Sequence, residues 1–182
     1  MANVTDFIKS FHEGSLAEAY KYMGAHADGD DTVFRVWAPN AKAVCVVGDF
    51  NNWDGSDTGM TRISDGGIFE CRVKGVKCFD NYKYAVTAAD GTVMMRADPY
   101  AFHSETRPGT SSKFYDIGGY KWHDQRWCAK RDALNVYSAP INIYEVHAAS
   151  WRRFEDENMF DYEKLAHELC EYVKDMGYNY ID

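Results

Sequence analysis

The sequence has few of the residues that mark fibrous, disordered or membrane proteins. Its 182 residues include 4 Pro and 14 Gly, and 46% are hydrophobic, which excludes collagenous and low-complexity chains. No run of about 18 apolar residues occurs, so no membrane span is predicted. Residues 1–9 lack a basic start followed by an apolar block, which argues against a secretory signal. We therefore expect a globular, cytoplasmic protein with no membrane partner.

Cysteine is also scarce. The 5 cysteines are odd in number and contain no Cys-x-x-Cys pair, which argues against a disulfide framework and a zinc knuckle. The histidines show no metal-ligand spacing. The sequence predicts no metal and no cofactor.

Positive charge is in deficit, and aromatic residues are abundant. The chain has 20 Lys+Arg against 28 Asp+Glu, a formal net charge of -8, so nucleic acid and anionic lipid would be repelled. It holds 13 Tyr, 10 Phe and 5 Trp, which favours β structure over a helical bundle. Aromatic rings suit neutral ligands such as sugars, although each ring can also simply be part of the core.

Residues 1–23 have the pattern of a helical lead-in. Phe7, Ile8 and Phe11 follow helical spacing. Ser15 and Glu18 form a Ser-x-x-Glu capping box, which predicts a second short helix ending near Gly24.

Residues 24–118 predict an immunoglobulin-like antiparallel β-sandwich, so the fold class is mainly β. The expected strands are 33–37, 44–47, 69–73 and 82–87. The run 44–47 is apolar without alternation, which predicts a central strand covered on both faces. Asp90-Gly91 predicts a type I′ hairpin turn.

Residues 119–140 have the composition of a connector with a short helix, and the pattern changes again in residues 141–182. The pattern predicts a strand at 141–147, a helix capped by Asp161 and Gly177, and a second strand from Tyr178. This order of elements predicts a right-handed parallel β-α-β unit. A (β/α)8 barrel takes about 250 residues, so we expect the chain to end inside a truncated catalytic barrel. The helix face at 165–176 should be bare and favour association, while the oligomeric state stays open.

Several motifs resemble one enzyme family. Residues 33–55 contain Val-Phe-Arg-Val-Trp-Ala-Pro and Val-Gly-Asp-Phe-Asn-Asn-Trp-Asp-Gly, and they resemble family 48 carbohydrate-binding modules. Five further motifs narrow the resemblance to one enzyme family within that group. They are Gly-Ala-His at 24–26, Asp-Pro-Tyr-Ala at 98–101, Arg-Pro at 107–108, Ile-Tyr-Glu-Val-His at 143–147 and Ser-Trp-Arg-Arg at 150–153. Together they resemble the 1,4-α-glucan (glycogen) branching enzymes of glycoside hydrolase family 13. Ala148-Ala149 departs from the family pattern of an aliphatic residue and Gly.

The resemblance implies a transferase of glycogen biosynthesis that moves α-1,4-glucan segments to 6-hydroxyls. Such retaining chemistry needs two carboxyl groups about 5–5.5 Å apart. In the family these groups follow later barrel strands, so none of the catalytic residues is expected here and the chain alone should be inactive. The acidic pairs Asp30-Asp31 and Asp54/Asp57 fall in predicted turns and are expected to be solvated.

The resemblance also suggests substrate-binding and loop residues. Trp53 and Lys83 match a stacking Trp and a hydroxyl-binding Lys of glycan-binding modules, whereas Val93 and Ser112 replace the second aromatic residue and an Asn. Trp53 can instead be a packing residue. His147, Trp151, Arg152 and Arg153 lie in the loop after the first barrel strand, where they can touch substrate or fasten one domain to another.

Three functions stay open for the chain. It can be the amino-terminal part of a branching enzyme, whose partners are α-glucan and the missing carboxy-terminal part of its own barrel. It can also be a self-standing α-glucan-binding or regulatory module, or a plain structural domain. The barrel-type segment from Ile141 favours the first.

Overall fold

The computed structural model describes residues 4–182 and divides the chain into two compact units, Met1–Tyr120 and Lys121–Asp182. The signal and lead-in predictions for residues 1–3 lie outside the described residues. The helices are α1 (Val4–His12), α2 (Gln125–Asp132) and α3 (Tyr162–Asp175). The strands are β1 (Gly24–Asp28), β2 (Asp31–Trp37), β3 (Ala43–Gly48), β4 (Thr61–Arg62), β5 (Ile68–Lys74), β6 (Asn81–Thr87), β7 (Val93–Arg96), β8 (His103–Ser104), β9 (Ser112–Lys113), β10 (Ile143–Tyr144) and β11 (Tyr180–Ile181). Single 3-10 turns occur at Ala19–Lys21, Asp49–Asn51 and Ile117–Gly119.

The amino-terminal segment contains the predicted amphipathic helix, α1. Phe7 is buried on it, and its ring stacks on Tyr22 with 4.6 Å between centroids. The predicted capping box is wrong. The Ser15 hydroxyl donates to the Ser10 carbonyl oxygen at 3.3 Å, and Glu18 makes no side-chain cap. The segment that follows forms only a single 3-10 turn, and the Glu18 carboxylate accepts from Lys21 Nζ at 2.6 Å.

Four antiparallel strands form the first sheet, in the order β1-β2-β5-β4. β2 and β5 confirm two predicted strands, and they pair from Asp31↔Lys74 to Trp37↔Ile68. β1 is a strand that the sequence pattern did not predict, since it contains no β-branched residue. Its first residue, Gly24, has φ +93°, and a Cβ there would lie 3.1 Å from Tyr100. Only glycine suits this position.

The second sheet is built around β6. β3 pairs with one edge of β6, β7 and β9 pair with the other, and β8 pairs with β9. The prediction that 44–47 is central is wrong, because β3 lies at an edge. Val44, Val46 and Val47 are nevertheless buried, and the segment 58–60 covers that edge. Val46 N donates to the Thr58 carbonyl at 3.2 Å, and Met60 N donates to the Val44 carbonyl at 2.8 Å.

β6 and β7 form a hairpin, but its turn is not type I′. A type I′ turn needs a positive φ at both central residues. Gly91 has φ +89°, but Asp90 does not have a positive φ. Gly91 N donates to the Ala88 carbonyl at 3.0 Å, and Ala88 N donates to the Thr92 carbonyl at 2.9 Å. The loop therefore has three residues and ends on a left-handed glycine, which is another common hairpin connection.

The core of the first unit lies between the two sheets. Its buried residues come from both and include Phe34, Val36, Val44, Val46, Phe69, Tyr82, Tyr84 and Phe114. The alternation in β6 places Tyr82 and Tyr84 inside, which leaves Asn81 and Lys83 on the opposite face of the second sheet. We call that side the outer face. The predicted class, a mainly β antiparallel sandwich, is confirmed.

A carboxyl group is buried within this core. Asp98 accepts hydrogen bonds from the hydroxyls of Tyr82 at 2.7 Å and Tyr84 at 3.2 Å, and from the Tyr100 N–H at 2.8 Å. Its own N–H donates to Ser112 Oγ at 2.8 Å. Burial raises the pKa of Asp98, while the hydrogen bonds from Tyr82, Tyr100 and Tyr84 act in the opposite direction.

The second unit contains the predicted β-α-β arrangement. β10 and β11 pair in parallel, with α3 between them in the chain. Asp161 Oδ1 accepts from Lys164 N at 2.8 Å, and Gly177 has φ +79°, so both predicted caps are confirmed. The strand predicted at 141–147 is reduced to Ile143–Tyr144, although Val146 N still donates to the Asp182 carbonyl at 2.8 Å beyond the end of β10.

The apolar face of α3 is not bare, contrary to the prediction. Leu165, Leu169 and Val173 are buried. The partly buried residues packed against them are Tyr144, Val146, Trp151, Phe160, Tyr172 and Tyr178. Exposed apolar side chains lie instead on the strand segment, at Ile141, Ile143 and Tyr180.

The Asp98 network provides a stability test. Asp98→Ala removes the acceptor of two buried hydroxyls, and we expect it to lower the free energy of unfolding by about 2–4 kcal/mol. Asp98→Asn should cost less, because burial favours the neutral form and the amide keeps an acceptor oxygen. Urea unfolding measures both changes. Asp57→Ala, at an exposed carboxylate, is the control and should stay within about 0.5 kcal/mol of the parent chain. Equal losses in the Ala and Asn variants would contradict this account.

Candidate functional site

Trp53 lies on a loop that is tied closely to β3. Asn51 Oδ1 accepts from Gly48 N at 2.8 Å, and its amide group donates to the Val46 carbonyl at 3.1 Å and to Thr58 Oγ1 at 3.0 Å. Trp53 N donates to the Gly48 carbonyl at 2.9 Å. These contacts fix the conformation of the Phe-Asn-Asn-Trp motif.

The loop holds the Trp53 indole partly exposed. Asn52 and Trp53 have φ values of +52° and +63°, an unusual conformation for two consecutive non-glycine residues. The side chain of Trp53 is 39% exposed, and its Nε1 donates to Asp49 Oδ1 at 3.0 Å. An indole that is neither buried nor free to rotate can act as a stacking surface.

Asp49 connects the Trp53 loop to β6. Its Oδ2 accepts from the backbone N–H of Asn81 at 2.8 Å and from the Asn81 amide group at 2.9 Å. These hydrogen bonds, with that from Trp53, lower the pKa of Asp49, and the charge of Lys113 adds to the effect. Asp49 therefore holds the indole next to the outer face of the second sheet.

Lys83 lies on the same outer face, two residues beyond Asn81 along β6. Its Nζ donates to Thr110 Oγ1 at 2.7 Å. We call Trp53, Asp49, Asn81 and Lys83 the Trp53 surface. It offers an aromatic ring and an ammonium group that already binds a hydroxyl.

Val93 and Ser112 occupy the positions of the second aromatic residue and the Asn of glycan-binding modules, and the two side chains differ in exposure. Val93 lies opposite Thr87 at the end of β6, and its side chain is exposed. Ser112 is only 2% exposed, and its hydroxyl accepts from Asp98 N inside the core. Ser112 therefore has a structural contact in this chain.

The predicted residues of the second unit lie around the loop after β10. His147 Nδ1 is 2.9 Å from Ser150 Oγ, and Trp151 Nε1 donates to the Tyr144 hydroxyl at 2.9 Å. The Arg153 guanidinium donates to the Glu157 carbonyl at 3.1 Å.

Arg152 fastens this loop to α3. Its guanidinium lies over the Trp151 ring, 4.4 Å from the centroid, and over Tyr172 at 5.4 Å. It also donates to Glu168 Oε2 at 2.9 Å. The structure thus brings Trp151 and Arg152 together, whereas His147 and Arg153 make separate local contacts.

Sequence reasoning missed two features of the first unit. One is the link from Asp49 to Asn81, which joins residues 32 positions apart. The other is an exposed group of rings, Phe79, His103 and Tyr115, whose centroids are 5.3 to 5.9 Å apart. Only the alternation of Ser112, Lys113, Phe114 and Tyr115 could have indicated an outward Tyr115.

Two clefts of the first unit lie away from Trp53, and one of them is bordered by Tyr115. One of about 390 Å³ is lined by residues that include His26, Phe102 and Tyr115, and another of about 570 Å³ by residues that include His12 and Arg62. Among residues 4–182, no group of three or more His, Cys, Asp or Glu is placed to hold a metal ion.

Comparison with known proteins agrees with the motifs. Residues 22–101 match the family model of carbohydrate-binding module 48, the isoamylase N-terminal domain. The chain is 44% identical over 181 residues to the 1,4-alpha-glucan branching enzyme GlgB of Francisella philomiragia and 47% identical over 176 residues to that of Halothermothrix orenii. These matches cover 96% and 94% of this chain but 28% of each relative.

Solved structures support the fold. A Bacillus subtilis type I pullulanase complexed with maltose is similar with a TM-score of 0.52 and 23% identity. The match covers 77% of this chain and 19% of the pullulanase. The resemblance inferred from the motifs is therefore confirmed: residues 22–101 match the carbohydrate-binding module 48 family, and nearly the whole chain is similar to the amino-terminal part of GlgB branching enzymes.

Proposed function

We propose that this chain is the amino-terminal portion of a 1,4-α-glucan branching enzyme and that its first unit contacts α-glucan through Trp53 and Lys83. The observation that carries the binding role is the half-exposed Trp53 indole, held by Asp49 beside the outer face that carries Lys83. The names of the relatives and of the matching family support the choice of ligand.

The chemistry of the Trp53 surface suits a neutral sugar. The C–H face of a glucose ring packs on an aromatic face. Because the Lys83 ammonium already donates to the Thr110 hydroxyl, a glucose hydroxyl can take the same place without a change of donor. The formal net charge of -8 also favours a neutral partner over an anionic one. One indole gives weak binding, since immobilising a flexible chain offsets much of the gain.

The second unit is proposed to supply the first β-α-β unit of a (β/α)8 barrel. Parallel sheets are covered on both faces, and Ile141 and Ile143 stand exposed beside the short β10–β11 pair. The proposed domains are the lead-in 1–23, the module 24–118, the connector 119–140 and the barrel segment 141–182. His147, Trp151, Arg152 and Arg153 would then shape the loop after the first barrel strand, where such barrels place their active sites.

The proposed transfer reaction needs two carboxyl groups that the resemblance places after later barrel strands. In a retaining mechanism one carboxylate attacks the anomeric carbon, while the other donates a proton to the leaving oxygen and then activates the acceptor hydroxyl. The role proposed for this chain is to bind and position α-glucan. The cytoplasmic location belongs to the same proposal, and the five free cysteines are in keeping with a reducing compartment.

The second candidate is a self-standing α-glucan-binding or regulatory module. It is favoured by the first unit, whose two sheets enclose a core of their own. This second candidate function gives no role to the exposed strand residues of the second unit.

Titration of the chain with maltoheptaose tests the binding role. We expect saturable, weak binding that Trp53→Ala lowers at least about tenfold, because the stacking face is removed. Trp127→Ala removes another exposed indole and serves as the matched control, with unchanged affinity. An absence of binding to the parent chain at millimolar maltoheptaose would leave only a structural role for the module.

Asp49→Ala tests the orientation of the indole. The variant frees Trp53 Nε1, so we expect the affinity for maltoheptaose to fall about two- to tenfold while the fold is retained. Calorimetry measures the affinity, and tryptophan fluorescence reports the change around the ring. Unchanged affinity would show that Asp49 does not position Trp53 for the ligand.

The lowered pKa of Asp49 makes the stability of the fold depend on pH. Its pKa is lowered from 3.8, so it stabilises the fold at pH values above that and loses this contribution as the pH falls through the lower, folded value. The stability difference between the parent chain and Asp49→Ala should therefore be constant from about pH 7 to 5 and shrink below the unfolded pKa. A difference that grows in acid would contradict this sign.

The catalytic part of the proposal predicts an absence of activity. The chain alone should form no new branch points in amylose, as read by iodine staining and by the products of a debranching digest. Branch formation by the purified chain would show that catalytic carboxyl groups lie within residues 1–182.

A further inference from the structure

The rings of Phe79, His103 and Tyr115 form an exposed aromatic cluster, which we call the Phe79 cluster. The centroids of Phe79 and His103 are 5.4 Å apart, those of Phe79 and Tyr115 5.3 Å, and those of His103 and Tyr115 5.9 Å. Phe79 is 52% exposed and Tyr115 is 37% exposed. These rings pack on one another at the surface and are not part of the core.

Phe79 has a backbone conformation that disfavours its own side chain. Its φ is +72°, in the left-handed region that a bulky residue rarely adopts and that glycine adopts easily. Phe79 N donates to the Phe114 carbonyl at 2.8 Å, and Phe114 N donates to the Asp80 carbonyl at 2.9 Å, so the turn is fixed by backbone contacts. The fold therefore does not need this ring, and strained residues of this kind concentrate at functional positions.

Strand pairing places His103 of the cluster on the outer face, in line with Asn81 of the Trp53 surface. His103 pairs with Lys113, and Lys113 pairs with Asn81, so the three side chains share one face across β8, β9 and β6. Asn81 in turn binds Asp49, which holds the Trp53 indole. Neighbouring strands lie about 4.8 Å apart, so about 10 Å separates Asn81 from His103.

The row between the two aromatic groups is polar and carries little net charge. Lys113 lies close enough to Asp49 for its charge to affect that carboxylate, while the Asn81 amide nitrogen donates to Asp49 Oδ2 at 2.9 Å and its Oδ1 is buried. Rings at both ends with hydrogen-bonding groups between them fit a neutral chain of linked sugars, whose rings stack and whose hydroxyls accept and donate. A polyanion would be disfavoured by the net charge of the chain.

We propose that the Phe79 cluster is a second stacking platform for the same α-glucan chain, continuous with the Trp53 surface across Asn81 and Lys113. The proposal rests on the proposed function, because it takes α-glucan as the ligand. It predicts that affinity depends on the length of the oligosaccharide, since a short ligand reaches only one of the two aromatic groups and a longer one reaches both.

Phe79→Gly in the full chain tests the proposal. The variant removes the ring and places a residue that suits φ +72°, so its thermal stability should equal or exceed that of the parent chain. Calorimetry with maltotriose and maltoheptaose should show an affinity for maltoheptaose lowered about five- to tenfold and an affinity for maltotriose changed by less than about twofold. Tyr137→Ala, at a ring that is 98% exposed in the second unit, is the matched control and should bind as the parent chain does.

The outcomes separate the two proposals. If the parent chain binds maltoheptaose and Phe79→Gly binds it equally well, the second platform is overturned while the binding role of Trp53 stands. If the parent chain binds neither oligosaccharide at millimolar concentration, the proposed function fails, and the second platform fails with it. Equal weakening of both ligands by Phe79→Gly would also overturn the proposal, because it would place the ring within the short-ligand site.

Discussion

The buried carboxyl group of Asp98 is the constraint on which the first unit depends. Taking a carboxyl group out of water is unfavourable unless it is hydrogen-bonded, and two tyrosine hydroxyls and a backbone N–H bind this one. Burial in turn raises the pKa of Tyr82 and Tyr84, and the Asp98 charge adds to it, so both stay neutral donors. The Tyr84 hydroxyl oxygen also lies 3.4 Å from the Arg35 carbonyl oxygen of the first sheet, so its one proton is shared between Asp98 and that carbonyl. The network therefore links β6 to Ser112 of β9 through Asp98, and to Arg35 of the first sheet.

A fixed inner face determines the outer one. Because successive side chains of a strand point to opposite sides, the inward Tyr82 and Tyr84 force Asn81 and Lys83 outward. The edge position of β3 adds the second element of the surface. The chain that leaves β3 folds back to pair with its free edge at 58–60, and the indole of Trp53 lies on that same excursion. The loop that follows β3 therefore both covers the edge of β3 and holds the Trp53 ring at the surface.

The sequence pattern predicted what local spacing can encode. Alternation identified β5 and β6, and a run of β-branched and aromatic residues identified β2. The caps at Asp161 and Gly177 bounded α3. All of these signals depend on neighbours within a few residues. The sequence pattern could not show whether β3 lies at the centre or the edge of its sheet. A continuous apolar run looks the same whether a neighbouring strand or a loop covers the strand. The resemblance supplied Trp53 and Lys83 as candidates. The Asp49 to Asn81 contact and the Phe79 cluster arise only after distant strands pair, and no short motif marks them.

The two units differ in how completely they bury their apolar residues. In the first, side chains from both sheets close over one another, so the unit has a core with two covering layers. In the second, α3 packs Leu165, Leu169 and Val173 against one side of a strand pair that has only two residues in each strand. Ile141 and Ile143 alternate with the covered Tyr144 and Val146, so they belong to the other side, where they are exposed. A parallel pair of this size gains little from its own hydrogen bonds. The second unit therefore buries apolar residues on one side of its strand pair only, whereas the first unit buries them between two sheets.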